Sequence, residues 1–463
     1  MAITIVNSGK TIDITEGAET HNYNKDNLSV NTFGDKVLLF NNYKVVREIL
    51  YSDVVSPSTS SSSELKGIID LWLDIFPLTA AYDAFGRARV SELSTLFDLK
   101  QLNASQSLFV DTQDINGGTS TYNTGESSTT LNVTANSGDR VVHQTKQRFN
   151  YRSGKSHLIM MTLYNFQAET DVIKRIGYFS SNNSTPFNTS YDGLYLESSG
   201  GVISVNTWRN GNQVEKVLDT NFNGRSIEGI DWSKNQIIYI DFEWLGTGSI
   251  RWGLVRNGEI VYFHTSRHDN TDKKVYMKSP NQPLRWEVES TGGSGSFTYV
   301  CASVNSEGSI NKVGRDGGVE DNGVHLDAND TGEWYVALAL RLKATHLDSV
   351  VDLLSGYLKS DTNDDFAYRV VLNPTYNSTL TWTDVDNFSV QYALGATANT
   401  VTDLGETLKA GLGIQTSLTE LSLETALRVG VAIDGTRDEI ALIVRPHTAN
   451  LDIHRALNWR ELT

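Results

Sequence analysis

Between Gln236 and His264 apolar and polar side chains alternate strictly. Ile238, Ile240, Phe242 and Trp244 fall between Tyr239, Asp241 and Glu243. A period of two sends one set into a core and the other to the opposite face of a sheet. Gly246-Thr247-Gly248 reads as a short turn, after which Ile250, Trp252 and Leu254 resume the alternation. Asn257-Gly258 tolerates the two positive φ angles of a type I′ hairpin, and Glu259 to His264 returns as a third strand. The pattern predicts an antiparallel meander with Ile240, Phe242, Trp244 and Trp252 in the core. Asp241 and Glu243, on the other parity, are expected on a solvated face near Arg251.

Similar runs flank this meander. Ser156–Tyr164, Arg175–Ser180, Asp192–Glu197 and Gly200–Val205 read as strands separated by Gly, Asn, Asp and Ser clusters. Regular strand spacing with turn residues between implies a sandwich or barrel. After a Gly-, Asp- and Asn-rich stretch at 309–332, read as a linker, further strands are predicted at Trp334–Leu342, Ala367–Leu372, Ser389–Leu394, Ala426–Ile433 and Glu439–Val444. A short helix behind Thr345 and a closing strand at Leu457–Leu462 complete that half. Residues 1–83 differ. A hairpin over Lys36–Phe40 and Tyr43–Leu50 precedes the serine run Ser58–Ser63. Beyond it Leu65, Ile68, Ile69, Trp72 and Ile75 recur at helical spacing. That apolar helix face, on a region too poor in apolar residues for its own core, marks a candidate interface. The expected class is all-β: an N-terminal β/helix anchor (1–83), a central sandwich (84–308) and a C-terminal β-sandwich (333–463).

Composition narrows the function classes. The 463 residues exceed one small core. Their formal charge of −16 argues against a general nucleic-acid binder, because phosphate contacts need clustered Lys and Arg. A single cysteine, Cys301 in a strand-like run, excludes an intrachain disulfide and reads as a buried, inert thiol. No run approaches the roughly 20 apolar residues of a membrane span. Met1–Lys10 lacks the charged leader and apolar run of a secretory signal, so synthesis in a reducing cytoplasm is expected.

The run Ala84–Gln101, A-F-G-R-A-R-V-S-E-L-S-T-L-F-D-L-K-Q, resembles the segment opening a domain common in virion structural proteins of tailed bacteriophages. Four more runs fit the same resemblance: Ser137–Gln144, Arg175–Phe179, the central meander, and Pro280–Val288 with Ser303–Gly308. The layout of the central part is also similar to lectin-like, concanavalin-type jelly rolls. The resemblance implies a non-enzymatic virion protein made in the host cytoplasm. Head decoration, head fibre, and tail-associated fibre or adaptor remain open. It also implies a homotrimer, with phage capsid or tail proteins as partners.

Two other classes stay in view. A carbohydrate-binding receptor module would use the long Ser-, Thr- and Asn-rich stretches Asp114–Ser128 and Ser180–Tyr191, with Tyr122, Phe187 and Tyr191, to hold a cell-surface glycan. A laminarinase-like glycosidase would use Asp241 and Glu243 as its carboxylate pair. Aligned to that family's Glu-x-Asp-x-Glu, however, Tyr239 stands where the nucleophilic Glu is needed. Asp327–Gly332 opens like a calcium loop, but Leu338 occupies the position of the bidentate Glu. His264 and His268 with Asp269 and Asp272 lie at a strand end rather than on a helix. The expectation is therefore no catalytic residues, no metal ligands and no cofactor, with neither nucleic acid nor membrane as partner.

Overall fold

In a computed structural model the described residues are all-β, with every strand pair antiparallel and one short 3-10 turn at Asp219–Asn221. The structure describes the backbone of strands between residues 3 and 50. It also describes residues 83–462 apart from 85–86, 88, 90–91, 182–189, 272, 309–312, 363, 415–417 and 424–427. The apolar face of Leu65, Ile68, Ile69, Trp72 and Ile75 lies outside the described residues, as does Phe187. Upstream, Ile3–Ser8, Thr11–Glu16 and Glu19–Asn24 form one three-stranded meander, and Leu28–Phe33, Lys36–Asn41 and Lys44–Leu50 form another. The second contains the expected hairpin.

The central sandwich packs an eight-stranded sheet against a seven-stranded one. The predicted meander is Gln236–Phe242, Ser249–Arg256 and Glu259–Arg267. Its register places Ile238 opposite Leu254, Ile240 opposite Trp252 and Phe242 opposite Ile250. All six side chains are buried in the core. Asn257 and Gly258 take φ of 54° and 83°, which the primed hairpin turn requires. Trp244 departs from expectation. The strand ends at Phe242 and the chain turns at Leu245 (φ 34°), so Trp244 only flanks the core, donating its indole N–H to Met277 O at 3.0 Å. Asp114–Ser128 is also no loop: strands Val110–Ile115 and Thr119–Asn123 occupy it, one in each sheet.

The second sandwich stacks a five-stranded sheet on a six-stranded one. Its closing strand, Leu451–Glu461, alternates buried and half-buried side chains along its whole length. Two segments of the supposed linker pair with it, Arg315–Glu320 and Leu326–Ala328, so these residues belong to the sandwich. Glycine is needed here. A Cβ on Gly317 would come within 2.7 Å of the buried Trp459 ring. The helix expected behind Thr345 is absent. Turns lead instead into strand Val351–Ser360, and of the expected strand Ala426–Ile433 the described residues 428–433 form only an isolated bridge at Val431.

The sandwiches touch directly. Phe109 packs on both cores. Lys146 O accepts the Val431 N–H at 2.9 Å, and Asp111 Oδ2 accepts the Ile433 N–H at 2.8 Å.

Candidate functional sites

Asp241 and Glu243 do share one face of their strand, pointing away from the core. That face is not solvated: both side chains are fully buried. The residues covering them come from the segment just before the first strand of the sandwich. Arg87 donates from Nη2 to Glu243 Oε1, and from Nε to Asp83 Oδ2 at 2.5 Å. Arg89 Nη2 pairs with Asp241 Oδ2 at 2.7 Å, and its Nε with Glu307 Oε1 at 2.8 Å. Asp241 also accepts from Ser156, from Tyr262 at 3.2 Å and from Arg251, its register partner. Ser249 Oγ donates to Ala84 O at 2.6 Å and fastens the segment to the meander.

The electrostatics of this group are uneven. Asp241 has two guanidiniums. Glu243 has one, from an arginine whose side chain is half exposed, and it sits beside Asp83 and Glu307. Burial pushes the Glu243 carboxyl up to about 7. Arg87 opposes that rise, while the charges of Asp83 and Glu307 add to it. Carboxylate oxygens of Asp83, Glu243 and Glu307 all lie within 4.8 Å of one another.

A second charged group lies on the outer face of the opposite sheet. Glu287 Oε1 is reached by Arg140 and Arg175, each at 2.6 Å, and by Tyr191 Oη at 2.8 Å. Arg285 Nη2 meets Oε2 at 2.8 Å. Burial works against this charge, but the guanidiniums of Arg140, Arg285 and Arg175 outweigh it and hold the carboxyl well below its ordinary range. Tyr191 is consequently buried and bonded rather than offered to a ligand. Tyr122 likewise donates to Gln101 O at 2.7 Å.

A third feature lies where the sandwiches meet. A cleft of about 360 Å³ takes one wall from each and is lined mainly by hydroxyl, amide and charged groups, among them Lys146, Arg148, Asp192 and Asp348. Asp192 is satisfied within the fold, accepting from the backbone N–H groups of Asn210, Lys278 and Ser279 and from Gln282 Nε2. No sequence pattern announced this cleft, because its walls come from seven separate segments.

Of the remaining sequence candidates, the described ones lie apart from one another, and Asp327 alone joins a cluster of possible ligands. His264 faces Glu215 across 3.9 Å at the sandwich edge, and His268 stacks on Tyr276 with centroids 4.5 Å apart. Asp269 is exposed beyond them, and Asp272 is outside the described residues. Asp327 lies in a strand and pairs with His325 at 2.9 Å. Asp330 closes a turn onto Gly332, and Leu338 is buried. Register does bring His325, Asp327 and Asp452 together at the surface, a grouping invisible in the sequence. Cys301 is half-buried, and burial pushes its thiol up.

No family model matches the chain, and no curated protein does. Solved structures similar to it include the carbohydrate recognition domain of Emp47p (12% identity, TM-score 0.31), which aligns over 98% of its length with 47% of this chain. A legume lectin-like domain from Entamoeba histolytica (10%, 0.31) aligns in full with 47% of this chain. A Bacillus licheniformis β-glucanase (13%, 0.30) aligns over 97% of its length with 46%.

Proposed function

We propose that this chain is a non-enzymatic structural protein of a tailed-phage virion: a head decoration, head fibre, or tail-associated fibre or adaptor, projecting from the particle as a homotrimer. The observation that carries the reading is where the resemblance runs meet. Arg87 and Arg89 of the A-F-G-R-A-R run close over Asp241 and Glu243 of the meander and Glu307 of the Ser303–Gly308 run. Arg140, Arg175, Arg285 and Glu287, from the other three runs, form the buried group on the opposite sheet. Residues scattered over more than 200 positions thus have a common physical use, which is to neutralise charge on the outer faces of one sandwich. The same arrangement speaks against a glycosidase, whose carboxylate pair must face an open sugar site.

The test is mass spectrometry of gradient-purified particles of the phage encoding the chain. Co-purification at a stoichiometric copy number is expected, and absence from the particle band removes the virion reading. Reducing-sugar release from a polysaccharide panel, lost in Asp241→Asn with Glu243→Gln, removes the non-enzymatic part.

A second reading, a carbohydrate-binding module, is favoured by the polar cleft between the sandwiches. Selective retention on a glycan array supports it, and a blank array against the same array's positive controls removes it.

A further inference from the structure

The cleft holds an arginine unlike those of the outer-face groups. Arg140, Arg175, Arg251 and Arg285 each contact a carboxylate. Arg148, half-buried on the cleft wall, donates only to neutral oxygens: Asn281 O at 2.9 Å, Gln282 Oε1 at 3.0 Å and Ser180 Oγ at 3.2 Å. Among the described residues no carboxylate lies within ion-pair distance of it. Burial pushes the guanidinium below its ordinary range, and Asp348 and Asp192 only partly offset that. Three such bonds fix the plane of the fork while leaving donors of its five N–H groups uncommitted.

Asn210 and Lys278 also line an adjoining hollow of about 500 Å³, together with Arg209 and Lys274. Lys146, Arg148, Arg209, Lys274 and Lys278 thus line two adjoining hollows, which form a groove on a chain of formal charge −16. Among the described lining residues the acids are Asp348 and Asp192, the latter already occupied by four donors, and Asp438 lies near Lys146. A groove with this excess of cations focuses positive potential locally even on an acidic protein. Its walls add the hydroxyl and amide groups of Ser181, Thr345, Asn210 and Asn212. No aromatic residue lines either hollow, so stacking platforms for nucleobases are lacking among the described residues.

We propose that this groove binds an acidic polysaccharide whose sugar rings carry carboxylates, with Arg148 and Lys278 pairing to carboxylates of successive rings. The proposal rests on the carbohydrate-binding reading above and gives it a place and a ligand class. A planar guanidinium held by neutral partners suits a two-point carboxylate contact, and the exposed lysines suit a repeating charge along a chain.

The experiment measures binding of fluorescent polygalacturonate, neutral dextran and single-stranded DNA to the full chain at about 50 mM salt, where ionic contacts are weakly screened. Two variants are compared with wild type. One is Lys274→Glu with Lys278→Glu, both exposed; the other is Arg148→Met. Polygalacturonate is expected to bind and dextran not to bind. The double charge reversal is expected to weaken binding at least about tenfold, at an unchanged melting temperature, as loss of matched charge does. Arg148→Met, if it folds, weakens binding similarly. Wild-type affinity in the double variant, or no polygalacturonate binding at all, overturns the proposal. DNA bound as tightly as polygalacturonate overturns it in favour of a nucleic-acid groove. Neutral glycans retained equally by wild type and double variant would keep the carbohydrate reading and remove this groove.

Discussion

Glu287 and Glu243 lie on opposite sides of the central sandwich. Each lies on the outer face of a sheet, and each has no exposed side-chain surface. Burial alone drives a carboxyl toward its neutral form. Glu287 escapes that because three arginines and a tyrosine converge on its two oxygens. Glu243 does not: it meets a single guanidinium and two other carboxylates, and burial raises its carboxyl to about 7. Depth of burial is therefore a poor guide to what a buried acid does, and the count and sign of its neighbours decide. The Glu287 group behaves as a permanent ionic girder. The Glu243 group stays close to balance at neutral pH.

The largest effect is expected from breaking the girder. Glu287→Gln leaves Arg140, Arg175 and Arg285 facing one another without their shared counter-charge. Removing one partner of a buried ionic group costs roughly 3–5 kcal/mol, read as the shift in urea midpoint at constant slope. A loss under about 1 kcal/mol would mean that Glu197 and Glu289, which also pair with Arg175, or water compensate the arginines.

Glu243→Gln is expected to act oppositely and with pH. The native carboxyl titrates above its unfolded value of 4.5, so the folded state holds the proton more tightly. Its unfavourable contribution is absent below pH 4.5, grows as pH rises toward 7, and is complete above that. The Gln variant should remove about 2–3 kcal/mol of stability loss across that window, flattening the curve of unfolding free energy against pH. Glu287 supplies the contrary slope. Its carboxyl is held low, so its contribution is full above pH 4.5 and is lost only below it. Parallel curves for wild type and Glu243→Gln would show that Glu243 is ionised throughout.

Alternation made the sandwiches legible, because period two fixes which side chains face a core. It also placed Asp241 and Glu243 correctly on the other face. What alternation lacks is any statement of what lies above a face. Arg87 and Arg89 arrive from about 150 positions upstream, so a buried acidic patch looked identical to a solvated one. Trp244 was misplaced for a local reason: Leu245 turns the chain before the period can carry the ring inward. Composition misled at Arg315–Glu320, where Gly317 and Gly318 read as linker. The missing side chain of Gly317 lets that strand lie against Trp459, and that of Gly318 makes room for Asn458. The cleft around Arg148 needed both sandwiches in place before any of its residues became neighbours.

The smallest effect tests the weaker group directly. The Arg87 side chain is half exposed, so solvent screens its attraction to Glu243, and its removal resembles loss of a surface pair more than loss of a buried one. Arg87→Met is expected to cost no more than about 1 kcal/mol near pH 8. Part of that cost should vanish near pH 5, because Glu243 then carries its proton and has no charge for Arg87 to neutralise. Some should persist at both pH values, because Arg87 also holds Asp83. Urea denaturation of the variant at the two pH values measures the difference. Equal losses at both would assign Arg87's contribution to contacts other than Glu243, such as those with Asp83 and with Gly154 O. A loss at pH 8 approaching that of Glu287→Gln would erase the contrast between the two faces, because a single half-exposed arginine would then matter as much as three buried ones.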